Sequence, residues 1–597
     1  MIFQPVEIPK NPIEYEAVAE YVRKLPGVAE VQIRSATVKL KPAEIAEHLR
    51  EAKLTAIVLA GEMPGYFKPA YTKAMVEVEN DPEQVRLASF RAQGTEQGGA
   101  TDRAKAVVAC AVYGVPFGLA AVPATSPVNP ATLVIGGGIA GIQAAIEIAD
   151  AGYKVYLVEQ GETIGGHMAQ FDKTFPTLDC AACILTPKMV SVGQNPNIEL
   201  MMLSRVKEVS GRPGAYKVKI DRKTARVDAS TCVACGDCAV VCPVVVASGF
   251  DEGISTRKAI YIPFPQAVPN TYFIDGDVCT WVLSDGKKCG ACVRKCMKGS
   301  IQLEAKDETV ELEVGNIIVA TGYKTFDARR IERYGYGKYP NVLTALEFER
   351  LTNASGPTGG KIVMKTKEMN KRKKVEEWVF NPAGPGPKSV AIIHCVGSRD
   401  ENFNAYCSRV CCMYSLKFSH LVREKLPEAK CYEYYIDMRA FGKGYEEFFE
   451  RIKHEGVFVV RGRSAKVEEK NGQMFLKGEN ILDNSVPELA VDMVILSVGL
   501  EPQPDSGELA KMLKISRTQD GWFTELEYNV EPSSTEMGGV FVAGVCQGPK
   551  DIPDTVAQAS AVAAKVLRGI VSGKGLDSRQ GLTLTEIEER ARGLSAA

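Results

Sequence analysis

The chain reads LVIGGGIAGIQAAIEIA over residues 133–149, which is the pattern of a buried strand, a glycine turn and a helix. Glycines in such a turn let the backbone approach a pyrophosphate, which then lies at the positive end of the helix. A second apolar strand at 154–158 ends in Glu159, an acid placed to accept hydrogen bonds from a ribose. This order predicts a dinucleotide-binding domain; the alternative is a similar turn without a ligand.

Later segments add predicted contacts to the same cofactor. A Gly-Gly pair follows Glu159, and buried strands at 314–322 and 539–544 each end in a glycine. The predicted cofactor-binding residues are Gly136, Gly138, Ile139, Ala140, Gly141, Glu159, Gln160, Gly165, Gly166, Ala320, Thr321, Gly322, Gly544, Asp551 and Ile552.

Eight cysteines between residues 232 and 296 follow the order of a two-cluster ferredoxin. The first four have C-x2-C-x2-C-x3-C spacing and are followed by Pro243. In this pattern three cysteines of one group bind one [4Fe–4S] cluster, and the fourth binds the other. We assign one cluster to Cys232, Cys235, Cys238 and Cys296, and the second to Cys279, Cys289, Cys292 and Cys242. The alternatives are disulfides and structural zinc, which is usually closed by pairs of C-x2–4-C.

A second nucleotide-type strand, at 389–394, lacks the glycine turn. Cys395 follows it, and Cys407, Cys411 and Cys412 come soon after. Without glycines the backbone cannot closely approach a pyrophosphate. Four cysteines here suggest a third [4Fe–4S] site, but adjacent cysteines are unusual ligands because neighbouring side chains diverge. The residues alone leave this site open.

Cys180 and Cys183 form a Cys-Ala-Ala-Cys motif with three interpretations. The pair is a redox dithiol beside the cofactor, or ligands of a cluster completed elsewhere, or two thiols packed as small apolar groups. The five histidines, among them His167, His394 and His420, show no metal-ligand spacing, so packing or surface roles are predicted.

Composition limits the class of protein. The 597 residues are 45% hydrophobic and 24% charged, which suits several domains, and a net charge of −1 predicts no nucleic-acid partner. The 17 cysteines without a secretory signal indicate a reducing cytoplasm and metal clusters. The uncharged stretch 106–124 approaches the length of a membrane span, but its prolines, glycines and alanines predict a buried helix ending before Pro116, then a linker.

Several long motifs together resemble one family. They are the turn at 136–141, the run 165–176, the inserted ferredoxin, the Cys411–Cys412 pair and the run 548–559. They look like the A subunit of heterodisulfide reductases, over nearly all of residues 133–573, with a core similar to flavoproteins of the thioredoxin reductase type. The resemblance implies bound FAD, two dinucleotide-type domains of which the first is split, and a cluster on Cys395, Cys407, Cys411 and Cys412.

The resemblance also implies a function. Members of this family distribute electrons within larger cytoplasmic complexes, many of them by flavin-based electron bifurcation. We therefore expect an oxidoreductase whose partners are other subunits of such a complex and ferredoxin or other iron–sulfur carriers. The alternatives are a relay subunit whose flavin does not bifurcate and an NAD(P)H-oxidising flavoprotein, against which the missing glycine turn argues.

The chain departs from the family pattern in three places. Only Cys110 occurs in residues 1–122, where members usually carry ligands of a further cluster, so we expect that cluster to be absent. Val545 and Cys546 replace the acid that usually follows the final Ala-Gly, which leaves Asp551 or backbone groups to hold the flavin's sugar chain. No second ferredoxin domain is expected after the flavin domain; a separate subunit could supply its clusters.

The predicted fold is therefore α/β, a two-dinucleotide-domain flavoprotein with an inserted ferredoxin. The predicted domains are an N-terminal α/β domain (1–122), the first part of the FAD domain (131–229), the ferredoxin (230–304), the second FAD part with a connection (305–386), the modified NAD(P)H-like domain (387–499), the closing FAD segment (500–573) and a tail (574–597).

Overall fold

A computed structural model describes residues 1–5, 12–38, 40–93, 99–121, 125–370, 374–529, 531–573, 575–576 and 582–597. These residues divide into two compact units. The N-terminal unit comprises 1–127, 525–539 and 574–597, and the main unit comprises 128–524 and 540–573. The sequence-based prediction differs, because it places 525–539 in the closing FAD segment and treats 574–597 as a separate tail. The predicted boundary at residue 122 and part of that tail lie outside the described residues.

The N-terminal unit is an α/β domain on a four-stranded parallel sheet. Its strands, in spatial order, are Ile33–Ser35, Ile2–Gln4, Ile57–Gly61 and Val85–Ser89. Its α-helices are Tyr15–Val22, Pro42–Glu51, Lys68–Glu77, Ala100–Tyr113, Phe117–Ala120 and Leu584–Ala596, and Thr125–Ser126 pairs with Gly575–Leu576. The last helix buries Ile587 and Ala591 in the same core as Ala104, which explains why the C-terminal segment groups with this unit.

The uncharged stretch 106–124 does not form one long helix. The helix Ala100–Tyr113 ends at Gly114, which has a φ of +71°, and Pro116 precedes the short helix Phe117–Ala120. The predicted helix end before Pro116 is confirmed, whereas residues 122–124 of the predicted linker are not described. Among the helices described, none is both long enough and apolar enough to cross a membrane.

The first sheet of the main unit is parallel and collects strands from distant parts of the chain. In spatial order they are Val540–Val542, Asn316–Val319, Thr132–Ile135, Val155–Val158 and Ile198–Met201. Apolar residues of the helices Ile139–Asp150, Ala181–Gln194 and Ile552–Ser572 join its core. The first dinucleotide-type domain is therefore split along the chain.

The second sheet is also parallel. Its strands, in spatial order, are Val342–Thr344, Met493–Val498, Ser389–Val396, Lys430–Tyr435 and Phe458–Arg461. The helices Ala345–Thr352, Cys411–Lys425 and Tyr445–His454 share its core, and Ser506–Leu513 follows in the chain. The strand Val342–Thr344 comes from the segment that the sequence had grouped with the FAD domain. Two parallel sheets with helices confirm the predicted α/β class with two dinucleotide-type domains.

Antiparallel strands form the connections. The three-stranded sheets are Ser204–Arg212, Ala215–Arg222 and Glu308–Val314, and Ser464–Lys470, Gln473–Gly478 and Glu488–Val491; the paired strands are Lys365–Asn370 with Val375–Phe380, and Lys324–Thr325 with Leu500–Glu501. The chain leaves the first of these sheets after Arg222, forms the cysteine-rich insert and re-enters the sheet at Glu308. Arg222 and Glu308 are cross-strand partners. Both ends of the insert are therefore held at one place.

The insert has little regular structure. Its helices are Asp237–Val240, Thr280–Leu283 and Ala291–Lys295, and its strand pairs are Val246–Ala247 with Thr256–Arg257 and Ile260–Tyr261 with Phe273–Ile274. Its small core contains Val227, Ile260 and Ile274, with most of the cysteines packed against it.

Candidate functional site

The glycine turn after the strand Thr132–Ile135 is fixed by close backbone contacts. A Cβ on Gly136, whose φ is +108°, would lie 2.4 Å from the carbonyl oxygen of Ala320, and a Cβ on Gly141 would lie 1.9 Å from the oxygen of Gly136. A Cβ on Gly138 would meet no atom within 4 Å, and the helix begins at the next residue, Ile139. The outer glycines therefore allow tight packing, whereas the middle one borders open space.

That open space is a cavity of about 530 Å³ at the carboxyl ends of the first sheet's strands. Most predicted cofactor-binding residues line it: Gly136, Gly138, Ile139, Ala140, Glu159, Gly165, Gly166, Ala320, Thr321, Gly322, Asp551 and Ile552. Its size and its position at the strand ends suit a dinucleotide cofactor.

Three predicted residues do not line this cavity. Gly141 is needed for packing of the turn, and Gln160 Nε2 donates a hydrogen bond to Asp505 Oδ2 at 2.9 Å. Gly544 has a φ of +80°, and a Cβ there would lie 2.9 Å from the Cβ of Ala140. Gly141 and Gly544 thus shape the wall by close packing and do not themselves face the cavity.

Glu159 and Asp551 occupy different electrostatic settings. Glu159 accepts hydrogen bonds from the backbone N–H groups of Gly137 and Gly161, each at 2.7 Å, and burial raises the pKa of its carboxyl. Asp551 is the N-cap of the helix Ile552–Ser572, where Oδ1 accepts from the N–H of Asp554 at 2.8 Å. Its other oxygen accepts from the Tyr445 hydroxyl. Asp551 therefore has a structural role at the helix start as well as a place on the cavity wall.

A buried charged pair that the sequence did not predict lies on the cavity wall. Lys417 Nζ donates to Glu349, and it also donates to the carbonyl oxygen of Lys173 at 2.9 Å. The other carboxylate oxygen of Glu349 accepts from the N–H of Asp172 at 3.0 Å, and burial raises the pKa of Glu349. Both Lys417 and Glu349 line the cavity. The only signal in the sequence was a lysine within the apolar run of its helix.

Aromatic residues complete this end of the cavity. Tyr414 donates its hydroxyl to the carbonyl oxygen of Val498 at 2.7 Å, and burial raises its pKa. The ring of Tyr323 lies 4.5 Å from that of His167, and both residues line the cavity. His167 bonds to Gln170 Oε1 at 2.7 Å and to the carbonyl oxygen of Tyr323 at 3.1 Å, so it links two segments of the cavity wall.

The cysteines of the insert lie close to one another in two places. Cys242, Cys279, Cys289 and Cys292, the predicted second set, line one small cavity of about 20 Å³. Among the first set, burial and, to a smaller extent, the neighbouring Cys232 and Cys235 raise the pKa of Cys238 to about 12. Among the described residues, no group of three or more His, Cys, Asp or Glu side chains is arranged to hold a single metal ion.

Cys395, Cys407, Cys411 and Cys412 meet where a nucleotide turn would be. Cys395 lies near the end of the strand Ser389–Val396 with a φ of +55°, and Cys411 and Cys412 begin the helix Cys411–Lys425. Burial raises the pKa of Cys395 to about 12, with further contributions from Cys412 and Cys407. The pKa of Cys411 is raised by burial and then by the other three thiols. Four thiols gathered at one place fit a cationic iron–sulfur core, which would stabilise them as thiolates.

A second buried pair, also missed from sequence, adjoins these cysteines. His394 Nε2 bonds to Glu433 Oε1 at 2.7 Å, and both side chains are fully buried. Ser419 donates to the other oxygen of Glu433 at 2.7 Å. Burial opposes the charged imidazole, but hydrogen bonds to Cys412 and Glu433 outweigh it and raise the pKa of His394 to about 10. The prediction of a packing or surface role for His394 is thus incomplete.

Cys180 and Cys183 are joined by a disulfide and are both exposed. Cys180 is the N-cap of the helix Ala181–Gln194, and its sulfur accepts a hydrogen bond from the N–H of Cys183 at 3.2 Å. Neither residue lines the 530 Å³ cavity. The interpretation of two buried apolar thiols is therefore wrong, because both side chains face solvent.

Comparison with known proteins adds three findings. Residues 134–202 match the model of the NAD(P)-binding Rossmann-like domain family. The chain is 41% identical, over 94% of its length and 83% of the relative's, to the A subunit of the H2:CoB–CoM heterodisulfide,ferredoxin reductase of Methanothermobacter thermautotrophicus. It is 42% identical to the iron–sulfur A subunit of the CoB–CoM heterodisulfide reductase of Methanocaldococcus jannaschii, over 94% of this chain and 84% of that one.

One solved structure is similar at low identity. The thioredoxin reductase of Lactococcus lactis is 13% identical, and the match covers 74% of this chain and all of that one, with a TM-score of 0.40.

Proposed function

The chain belongs to the family of heterodisulfide reductase A subunits, and we propose that it is an FAD- and [4Fe–4S]-containing subunit that bifurcates electrons within a multi-subunit complex. Membership makes it an oxidoreductase. The proposal adds the FAD site in the 530 Å³ cavity, the three cluster sites and the branching of electron flow.

The observation that carries the proposal is the helix Cys411–Lys425. Its first two residues belong to the third cysteine set, and Tyr414 and Lys417 on its next turns line the cavity. Since this cysteine set stands where a nicotinamide nucleotide would otherwise bind, the cavity would exchange single electrons with a cluster at that place. The same arrangement argues against the NAD(P)H-oxidising alternative, because no glycine turn admits a pyrophosphate there.

Bound FAD would supply a centre that exchanges two electrons, and the clusters would carry electrons one at a time. The chain's own residues have separable tasks. The N-terminus of the helix that begins at Ile139 would hold the pyrophosphate, and Glu159 would accept hydrogen bonds from the ribose. The buried pair of Lys417 and Glu349 would fix a charge and its counter-charge at the cavity wall, while Tyr323 and Tyr414 limit the entry of water.

The ferredoxin insert would provide the second one-electron port. Both its ends emerge from the paired residues Arg222 and Glu308, so the insert is tethered on two strands to the flavin's own unit. Two one-electron ports around one two-electron centre are the minimum that bifurcation needs. Other subunits of the complex and iron–sulfur carriers would exchange electrons with these ports.

The second candidate is a relay without bifurcation. It uses the same sites, but electron transfer to one acceptor does not depend on electron transfer to the other. The test is Cys235→Ser in the assembled complex, with donor-driven reduction of separate high- and low-potential acceptors. A coupled branch point predicts that the reduction of both acceptors falls together in this variant, because the two electrons of a pair cannot both leave through the one remaining exit. A relay predicts that only the acceptor fed through the insert is reduced more slowly.

The matched control is Cys110→Ser, which alters a buried cysteine of the N-terminal unit outside all three sets. It is expected to leave both acceptors unchanged. If Cys235→Ser also leaves both acceptors reduced at the wild-type ratio, the insert lies on neither branch and the proposal fails.

A further inference from the structure

The two ends of the ferredoxin insert differ sharply in charge. Residues 283–298, around Cys289, Cys292 and Cys296, contain five cations and one acid. Residues 231–243, around the first cysteine group, contain no cation and one acid. On a chain whose net charge is −1, the positive charge at 283–298 is therefore local.

These five cations are exposed and available to a partner. They are Lys287, Lys288, Arg294, Lys295 and Lys298. Ion pairs that reach the insert and its borders include Arg257 with Asp275, Lys223 with Asp277 and Arg350 with Asp251, but no ion pair within the described residues includes any of the five. Their charge is thus not neutralised within the chain.

The same segment also exposes apolar side chains. Leu283 is 67% exposed, Val293 is 43% exposed and Met297 is 93% exposed. Cys289, a predicted cluster ligand, is itself exposed. Exposed apolar side chains together with unpaired charges are typical of protein–protein contacts, and the exposed ligand brings the cluster site close to a docked partner.

We propose that residues 283–298, the basic face, dock an acidic one-electron carrier protein. This inference rests on the proposed function, because the carrier exchanges electrons with the cluster site behind Cys289. Each encounter moves one electron: the carrier gains what the insert loses, and no bond forms or breaks. Charge complementarity selects an acidic partner, and the exposed apolar side chains favour a folded protein over a nucleic acid or a membrane surface.

The test measures association of the cofactor-loaded protein with an acidic bacterial two-cluster ferredoxin, at low and at physiological ionic strength. The variant Lys287→Gln/Lys288→Gln/Lys295→Gln removes three charges of the basic face and keeps side-chain length. We expect the association rate constant to fall by about 10- to 100-fold at low ionic strength, with a flatter salt dependence. Iron content and the electron paramagnetic resonance spectrum should match the wild type, which shows that the clusters are intact.

The matched control is Lys430→Gln/Lys477→Gln/Lys511→Gln. These lysines are exposed, belong to the same unit and lie outside the insert. The control removes the same net charge and should leave association within about twofold of wild type. Equal losses in both variants would mean that total charge, and not the basic face, controls the encounter, and the proposal would be overturned.

Two further outcomes would also overturn it. One is wild-type protein that does not bind the ferredoxin at low ionic strength. The other is tighter, face-dependent binding of duplex DNA or of anionic phospholipid vesicles. If the association experiment fails but Cys235→Ser lowers the reduction of both acceptors, only the docking role of the basic face is wrong. If the association experiment succeeds but Cys235→Ser does not lower both, bifurcation is wrong and the docking role of the basic face is retained.

Discussion

Lys417 and Glu349 form a buried ion pair at the 530 Å³ cavity, with only 2% and 4% of their side chains exposed. They come from different helices, Cys411–Lys425 and Ala345–Thr352, which share the core of the second sheet. A buried pair of this kind is costly to break from one side, because the remaining charge keeps its desolvation penalty and loses its partner.

We therefore expect Lys417→Met to lower the free energy of unfolding by about 3–5 kcal/mol. The double variant Lys417→Met/Glu349→Gln should recover most of this loss, because no unpaired charge then remains buried. Chemical denaturation followed by circular dichroism measures both. Lys453→Met is the control, since Lys453 pairs with Glu450 at the surface and its loss should cost under about 1 kcal/mol. A double variant no more stable than Lys417→Met would contradict the pairing argument.

Gly138→Val should release FAD while the protein stays folded. Gly138 has φ −76° and ψ −178°, which valine adopts readily, and its Cβ would meet no protein atom. The added side chain would occupy only the open space that a pyrophosphate needs. Flavin absorbance after gel filtration measures the loss, and Gly569→Val, also in open space but away from the cavity, is the control. A Gly138→Val protein that retains a full complement of FAD would remove this site.

Most of the residues that the sequence predicts for cofactor binding line the 530 Å³ cavity, because their signals are local. Gly136 to Gly141 lie within one turn, and Glu159 follows at a fixed distance on the next strand, so spacing alone brings them together. Lys417 and Glu349 are 68 residues apart, and His394 and Glu433 are 39 apart, so only the packing of the second sheet makes each pair. A charge within an apolar run was the sole local sign of either pair.

Gly544 shows where a local pattern stops being informative. Its Ala-Gly pattern correctly marks the end of a strand beside the cavity, but the pattern does not tell which way the backbone faces. The left-handed φ of Gly544 and its contact with Ala140 assign it to packing. Local patterns thus identify the neighbourhood of a site more securely than its contacting atoms.

His394→Leu should destabilise the second sheet strongly. The substitution leaves Glu433, which is fully buried, with Ser419 as its remaining side-chain partner, and the expected cost is about 3–5 kcal/mol. His420→Leu is the control, because His420 and its partner Glu455 are 20% and 25% exposed, and its cost should stay near 1 kcal/mol or below. Thermal unfolding of the two variants side by side distinguishes them. Equal midpoints would mean that the buried pair carries no special weight.

Cys180→Ser/Cys183→Ser should leave the iron content unchanged. Both sulfurs are exposed and bonded to each other, which fits a redox pair at the start of a helix and not a buried cluster. The check is iron per chain in anaerobically purified protein, together with the number of thiols that react after mild reduction. A loss of about four irons would instead make the pair ligands of a further cluster.

Anaerobically purified chain should hold about 12 irons, four for each of three clusters. Cys411→Ala should lower this number to about eight, because a cubane that loses one of four thiolate ligands is poorly held. Cys431→Ala is the control: Cys431 is also buried, in the core of the second sheet, but lies on the strand Lys430–Tyr435, outside the cysteine set. It should keep all 12 irons.

About eight irons per chain, unchanged by Cys411→Ala, would show that the third cluster is absent, and with it the one-electron port on the nucleotide side. The cavity would then have a single exit through the insert, and a relay would explain the protein better than a branch point. About 16 irons would point instead to a fourth cluster, with Cys180 and Cys183 as the first ligands to test.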